Sequence, residues 1–127
     1  MNEKPAFDEE DSEDLRKNYA SVKIPCQLNR AMCALKVNDN RDAVTAATSV
    51  LEYDPKYLKD TDITKAYFRR GMAKLSLKDE ENAIKDFEAA AEKDPNDAAI
   101  KRELTNAKNK IAQRKQKEKA AFAKMFG

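Results

Sequence analysis

The sequence predicts an all-α fold in which two helix pairs stack on each other and a long helix closes the array. The first observation is an internal repeat at a fixed offset of forty positions. Small residues, an acid and a proline recur in register: Ala31, Ala43, Asp54 and Pro55 return as Gly71, Ala83, Asp94 and Pro95. Such a repeat is typical of stacked supersecondary units rather than of one globular core. The composition agrees, because 38% of the residues are charged and only two are glycine, which favours helix.

The first predicted element is a helix over residues 14–37, preceded by an acidic segment. Residues 3–14 hold seven acids against one lysine, so we interpret residues 1–23 as a partly disordered connector that leads into the helix. Pro25 predicts a kink or the true start of the helix, since proline disfavours helix at the residue before it. Cys26 and Cys33 lie about 10 Å apart on this helix, too far for a disulfide. We expect both to be reduced and half-buried in the core.

Three further helices complete the two predicted pairs, residues 24–57 and 64–97. The second helix is predicted over residues 41–53 and ends at a proline. A polar connector over residues 56–62 follows, in which Asp62 is expected to cap a third helix over residues 63–77. The fourth helix is predicted over residues 80–93. Glu80 and Glu81 lie in its first turn, where acids interact favourably with the helix dipole.

The last predicted element is a basic amphipathic helix over residues 98–127. Its apolar residues follow helical spacing and predict a cap on the fourth helix: Ile100, Leu104, Ala107 and Ile111. Beyond them, residues 108–124 are basic and lead to Phe122, Met125 and Phe126. This end gives an alternative function, a helical scaffold that binds calmodulin or another partner. Nucleic acid is a less favoured partner, because the positive charge is confined to one tail without an aromatic platform.

Residues that carry enzyme chemistry are missing from the sequence. It contains no histidine, no glycine-rich phosphate loop, no nucleophile motif and no cluster of metal ligands, so we predict neither catalysis nor a cofactor or metal. No apolar run approaches the length of a membrane span, and no leader opens the chain. We therefore expect a cytoplasmic protein, without a membrane partner, that acts by recognition.

The spacing of small residues and prolines resembles the tetratricopeptide repeat. Counting back from the two prolines starts the units at Ile24 and Thr64. The second unit fills six of the eight signature positions, with Tyr67, Gly71, Ala83, Phe87, Ala90 and Pro95. The first unit keeps Ala31, Ala43 and Pro55, with Ala47 where a large residue is usual. The resemblance also places an insertion in the connector over residues 56–62, because the offset between units exceeds the usual repeat length.

A closer resemblance is to the co-chaperone cyclophilins of the forty-kilodalton type. Residues 27–36 look like their second repeat, residues 65–71 like their third, and residues 117–126 like their C-terminus. Proteins of this family carry an N-terminal prolyl-isomerase barrel followed by three repeats. The resemblance covers residues 24–127 and includes neither the barrel nor the first repeat. We therefore expect a C-terminal fragment or a truncated relative that is not itself an enzyme.

The resemblance implies a carboxylate clamp that grips the acidic Glu-Glu-Val-Asp tail of heat shock protein 90, and sometimes of heat shock protein 70. The matching positions are Asn29, Lys65 and Arg69. Lys65 and Arg69 are four residues apart and share one helix face. Asn29 occupies the repeat position equivalent to Arg69. An ammonium, a guanidinium fork and an amide donor suit paired carboxylates.

The missing first repeat has two expected consequences. The family takes two further clamp ligands from it, and losing them at roughly 1.5–3 kcal/mol each should weaken tail binding on the order of a hundredfold or more. The outer face of the first helix, around Tyr19, Val22, Ile24 and Cys26, should also lack its partner. We therefore expect marginal stability, self-association or dependence on another chain.

Overall fold

The computed structural model describes residues 12–127. This part of the chain forms five α-helices and one short 3-10 turn, which are α1 (Glu13–Lys36), α2 (Asn40–Leu51), the turn Pro55–Tyr57, α3 (Asp60–Ser76), α4 (Glu80–Lys93) and α5 (Ala98–Phe126). Each helix packs against the next along the chain, and α1 also contacts α3. The all-α repeat fold is thus confirmed. Most of the acidic N-terminal segment falls outside the described residues, so its expected disorder stays a prediction.

The start of α1 agrees with the helix predicted over residues 14–37 to within one residue, since α1 begins at Glu13. Pro25 lies inside this helix, so of the two alternatives for Pro25, a kink or the true start of the helix, the second is wrong. The Oγ atom of Ser12 accepts the backbone N–H of Leu15 at 3.4 Å and caps the helix. Ala20 and Ile24 are both only 2% exposed. Burial of this earlier segment therefore offsets the roughly 3 kcal/mol that an internal proline costs a helix.

The start of α3 differs from the predicted start at residue 63. The helix begins at Asp60, inside the connector expected over residues 56–62, and Asp62 is not its N-cap. Instead the carboxylate of Asp62 reaches back and accepts the backbone N–H of Lys59 at 3.1 Å. An acid in the third helical position makes this reciprocal contact in a capping box. The sequence correctly indicated that Asp62 takes part in capping α3, but this residue is at the third helical position and not at the N-cap.

The two cysteines of α1 are exposed, so the expectation that they are half-buried is wrong. The helix buries the face that carries Ala20, Ile24 and Leu28, whereas Cys26 and Cys33 lie on another face. Ile24 was expected on the unpartnered outer face and belongs instead to the core, together with Val50 and Ala66. The helical position of each residue, rather than its hydrophobicity, decides whether it is buried.

Small side chains allow the helices to approach closely. Fully buried alanines lie along every contact between neighbouring helices: Ala31, Ala43, Ala46, Ala47, Ala66, Ala73, Ala83, Ala90 and Ala107. One close approach is at Gly71 of α3, where an added Cβ would lie 2.7 Å from Cε1 of Phe87 in α4. Phe87 is fully buried, and its ring centroid lies 5.8 Å from that of Phe68. An aromatic ring therefore fills the space that a side chain at residue 71 would need.

A buried ion network joins three helices. The side chain of Asp86 in α4 is 4% exposed and accepts hydrogen bonds from the Nε and Nη2 atoms of Arg70 at 2.9 and 2.8 Å. The Nζ atom of Lys74 lies 3.2 Å from the same carboxylate. Arg70 also donates to Thr48 Oγ1 of α2 at 3.3 Å. Hydrogen bonding to Asp86 raises the pKa of Arg70 further, so this guanidinium stays charged.

The last helix closes the array as predicted. Ile100 and Ala107 are buried, and Ala107 and Leu104 pack in the cluster around Phe87 of α4. Arg114 fixes the far end of this contact: its Nη1 and Nη2 atoms donate to Glu80 and Glu81 at 2.9 and 2.8 Å. Glu80 is therefore a buried partner of α5, which its position in the first turn of α4 did not indicate. Beyond Arg114 the helix is exposed.

The contact at Gly71 makes the first prediction. In an open helix, Gly71→Ala would stabilise by roughly 0.5–1 kcal/mol. Here we expect a loss of about 1–3 kcal/mol in the free energy of unfolding, because the new Cβ overlaps Phe87. Urea denaturation measures the change. The loss should be smaller when Gly71→Ala is made in a Phe87→Leu background, and a stabilised single variant would contradict the close contact.

The ion network makes the second prediction. Asp86→Asn leaves Arg70 and Lys74 without their carboxylate and should lower the free energy of unfolding by about 2–4 kcal/mol. The matched control is Asp42→Asn, whose carboxylate accepts from Arg30 Nε at 3.0 Å on the surface. That exposed pair should contribute about 1 kcal/mol or less. Equal losses from the two variants in urea denaturation would show that burial of the Asp86 pair has no energetic effect.

Candidate functional site

The helix α3 presents four basic side chains that differ in their partners. Arg70 and Lys74 are bound to Asp86 and hold the fold together. Within residues 12–127, Lys65 and Arg69 form no ion pair with a carboxylate. Of the four cations, these two are therefore available to an external anion.

Arg69 is anchored where α3 crosses α1. Its Nη1 atom donates to the carbonyl oxygen of Leu28 at 2.7 Å. Burial lowers the pKa of the guanidinium from its ordinary value, although an arginine remains charged at neutral pH. A guanidinium has five N–H donors, and a partly desolvated charge attracts an anion more strongly than a fully hydrated one. Arg69 is therefore a cation fixed by its hydrogen bond to Leu28, and its other N–H groups can still donate to a ligand.

Asn29 follows directly on the residue that Arg69 contacts. Its side chain is exposed on α1, as is that of Lys65 on α3. The hydrogen bond to Leu28 brings Arg69 to the turn of α1 that carries Asn29. Stacking of the two repeats therefore places the three predicted site residues on neighbouring segments of α1 and α3.

A groove of about 350 Å³ lies beside Lys65 and Arg69, between α1, α3 and the start of α5. Its apolar lining consists of Met32, Leu35, Phe68, Met72, Ala99 and Ile100. The polar lining is Thr64, Lys65, Arg69 and Asp97, whereas Asn29 is not part of it. An apolar groove with a few directed polar groups is typical of ligand sites. Here it can accept an apolar side chain next to an anionic group.

Asp97 also belongs to this groove. Its Oδ1 atom accepts the backbone N–H of Ile100 at 3.0 Å and caps the start of α5. The same position brings Asp97 and Ile100 opposite residues of α1 and α3. No sequence signal indicated this, because the two residues are far from Met32 and Lys65 along the chain.

A second and larger cavity, of about 460 Å³, lies between the first half of α1 and the connector after α2. Lys17, Lys56 and Lys59 line it together with Glu13, Asp14 and Asp62. The Oε1 atom of Glu13 accepts from Lys56 Nζ at 2.9 Å, and its Oε2 atom accepts from the Tyr57 hydroxyl at 3.0 Å. This cavity has as many acids as lysines, whereas the groove has two cations against the single acid Asp97, so the cavity suits an acidic ligand less well.

Residues 12–127 give no basis for a metal site or for a membrane-spanning helix. No group of three or more histidine, cysteine, aspartate or glutamate side chains there is arranged to hold a metal ion. In the same part of the chain, no helix has the length and apolar character needed to cross a membrane.

Two stacked helix pairs closed by a capping helix define an all-α helical-repeat protein of the tetratricopeptide type, and the family model of the tetratricopeptide repeat matches residues 64–97. The chain is 35% identical to peptidyl-prolyl cis-trans isomerase D of Mycosarcoma maydis over 96% of its own length. This similarity confirms that the chain resembles part of a peptidyl-prolyl isomerase. The chain spans only 34% of the length of that protein.

A solved structure gives a second comparison. The C-terminal TPR-containing domain of an FK506-binding protein from Plasmodium falciparum superposes with a TM-score of 0.72 at 27% sequence identity. The match covers 86% of this chain and 68% of the other. The chain is therefore similar to a protein named as a peptidyl-prolyl isomerase and to the TPR-containing domain of a protein named as FK506-binding.

The anchoring of Arg69 predicts different stability effects for the two cations. Arg69→Ala removes the hydrogen bond to Leu28 and should cost about 1.5–3 kcal/mol of unfolding free energy. Lys65→Ala removes an exposed side chain and should change it by no more than about 0.5 kcal/mol. Thermal or urea unfolding of both variants checks this. Equal stability of the two would show that the Arg69 contact to α1 contributes nothing.

Proposed function

We propose that the chain is a non-catalytic interaction module that binds the acidic C-terminal tail of a chaperone in the cytoplasm. The partner is heat shock protein 90, through its Glu-Glu-Val-Asp ending, with heat shock protein 70 as a second source of the same ending. The observation that carries the proposal is the pair Lys65 and Arg69, which lack a carboxylate partner within the described residues and border an apolar groove. The relationship to a peptidyl-prolyl isomerase supports it.

The chemistry of the three residues fits a terminal aspartate. That residue has a main-chain and a side-chain carboxylate close together. Arg69 offers a fork of N–H donors for one carboxylate, and Lys65 offers a flexible point charge for the other. Asn29 adds an uncharged amide donor from α1. The apolar side chain that precedes the aspartate would enter the groove beside Phe68 and Met72, where burial adds affinity.

The affinity should be modest, because three ligands act where the resembled family uses five. Calorimetric titration of the full chain with a Met-Glu-Glu-Val-Asp peptide tests the proposal. Lys65→Ala should weaken binding about tenfold, which corresponds to about 1.4 kcal/mol. It is the informative variant because it leaves the fold intact, whereas Arg69→Ala also removes the contact to Leu28. Binding should weaken further as the salt concentration rises, because the attraction is between exposed charges.

Two controls make the titration specific. Lys85→Ala removes an exposed lysine of α4 outside the groove and should leave the affinity unchanged. A peptide with an amidated C-terminus lacks one of the two carboxylates and should bind at least tenfold more weakly, since charge-assisted hydrogen bonds are lost. Failure of the folded protein to bind, or equal binding of the amidated peptide, would disprove the clamp. A parallel titration with the heat shock protein 70 tail separates the two chaperones.

The absence of catalysis is part of the proposal. The isomerase activity named for the relative belongs to that protein, of which this chain spans only a part. No histidine occurs in the chain, and the described residues form helices that pack as repeats. We expect no acceleration of prolyl isomerisation in a peptide assay with the purified chain.

The exposed end of α5 supports a second candidate function, binding of calmodulin or another acidic partner. Phe122, Met125 and Phe126 are 65%, 77% and 73% exposed, and the two phenylalanine rings lie 4.7 Å apart between their centroids. Lysines surround them in sequence. Titration with calcium-loaded calmodulin, compared with a Phe122→Ala/Phe126→Ala variant, tests this candidate. Peptide binding at the groove should be the same in that variant.

A further inference from the structure

The helix α1 exposes a stripe of apolar residues, which we call the α1 stripe. It consists of Leu15, Val22, Cys26, Cys33 and Val37. Leu15, Val22 and Val37 are 52%, 62% and 74% exposed, and both cysteines are exposed. Successive members are seven or four residues apart, so helical geometry places them on one face. Three of the seven most exposed large apolar side chains of residues 12–127 therefore belong to α1 and its C-cap, Val37.

The internal repeat indicates what such a face contacts. At the offset of forty, Cys26 corresponds to Ala66 and Cys33 to Ala73. Both alanines are 0% exposed. Ala66 packs in the cluster with Val50, and Ala73 packs in the cluster with Ala43, so helix α2 covers this face of α3. The α1 stripe is thus the equivalent face without a covering helix among the described residues.

The opposite end of the array cannot supply the cover. Up to Arg114, where α5 packs on α4, its outward residues are polar and exposed, among them Lys101, Thr105 and Lys108. The exposed apolar residues of α5, Phe122, Met125 and Phe126, lie beyond this contact. A polar outer face is what a terminal capping helix requires. Stacking of one copy behind another would therefore place a polar surface on the α1 stripe. A contact between two α1 helices matches apolar surface with apolar surface.

We propose that the α1 stripe is a self-association surface on which a second copy of the chain packs antiparallel about a two-fold axis. The axis passes between Asn29 and Arg30. The stripe is symmetric about this point, so Val22 faces Val37 of the second copy and Cys26 faces Cys33 of the second copy. An isologous contact of this kind closes at a dimer.

The size and charge of the contact set its strength. Overlap of two helices over residues 22–37 buries on the order of 600 Å² in total, below the roughly 1,200 Å² of stable complexes. The dimer should therefore dissociate on dilution. Lys23 and Lys36 border the stripe in both copies, whereas the charge of Arg30 is compensated by Asp42. Salt should thus strengthen the dimer by screening the lysines, whereas it should weaken peptide binding at the groove.

Cysteine cross-linking of the full chain tests the register. The variants Cys26→Ser and Cys33→Ser each keep one thiol and are mixed in the presence of oxidised glutathione. Each cross-link joins two protein thiols as a disulfide, and their two protons and two electrons pass to one glutathione disulfide, which becomes two glutathione thiols. We expect the mixture to form covalent dimers several-fold faster than either variant alone. In the proposed register, like cysteines are displaced along the helix axis by about 10 Å.

Sedimentation velocity of the reduced wild-type chain, from micromolar to millimolar concentration, tests association without a cross-link. We expect a reversible monomer–dimer equilibrium that shifts towards dimer in high salt. Val22→Asp should abolish it, because it places a charge in the stripe, whereas Met125→Asp on the exposed end of α5 should not. A monomer at every concentration, assembly beyond the dimer, or equally fast cross-linking of each single-cysteine variant with itself would overturn the proposal. Because Asn29 lies at the two-fold axis, the dimer would cover it, so the peptide titration is carried out at a low protein concentration at which the chain is monomeric.

Discussion

The close approach of α3 and α4 at Gly71 is the constraint on which the site depends. Phe87 occupies the volume above this glycine, and its ring lies against Phe68 and joins the cluster that α5 covers through Leu104 and Ala107. Because the ring fixes the rotation of α3, the helix turns Phe68 and Met72 towards the groove and keeps Lys65 and Arg69 beside it. Protein interiors are packed as densely as organic crystals, so the strain from one added methyl group at Gly71 would spread to the neighbouring contacts.

The four cations of α3 divide their roles between the fold and the ligand. Asp86 binds Arg70 and Lys74 in a buried network, and Arg70 reaches back to Thr48 of α2. Removing one partner from such a network leaves an uncompensated charge, so it specifies how three helices align. Lys65 and Arg69 lie on the same helix without a carboxylate from the described residues. The fold thus neutralises the charges of Arg70 and Lys74, whereas Lys65 and Arg69 beside the groove are the cations that we propose bind a partner.

The two ends of the helix array differ in the polarity of their outer faces. α5 presents polar residues to solvent and ties its apolar face to α4, with Arg114 bound to Glu80 and Glu81. α1 carries an apolar stripe whose counterpart in the second repeat is buried under α2. In a repeat protein each unit is stabilised by its neighbours, so an uncovered end lowers stability or recruits another surface. One end is therefore a cap, and the other carries the stripe on which we propose that a second copy packs.

The sequence alone determined the helices and their stacking, because repeat offset, helical spacing and capping residues are local properties of the chain. It placed α4 and α5 correctly, identified the apolar cap of α5, and placed Lys65 and Arg69 on one helix face. It did not determine the burial of Ile24, the exposure of Cys26, or the pairing of Glu80 with Arg114. Nor did it bring Asp97 into the groove with Met32. These features depend on the rotation of each helix and on contacts between residues distant in the chain, and only tertiary packing decides them.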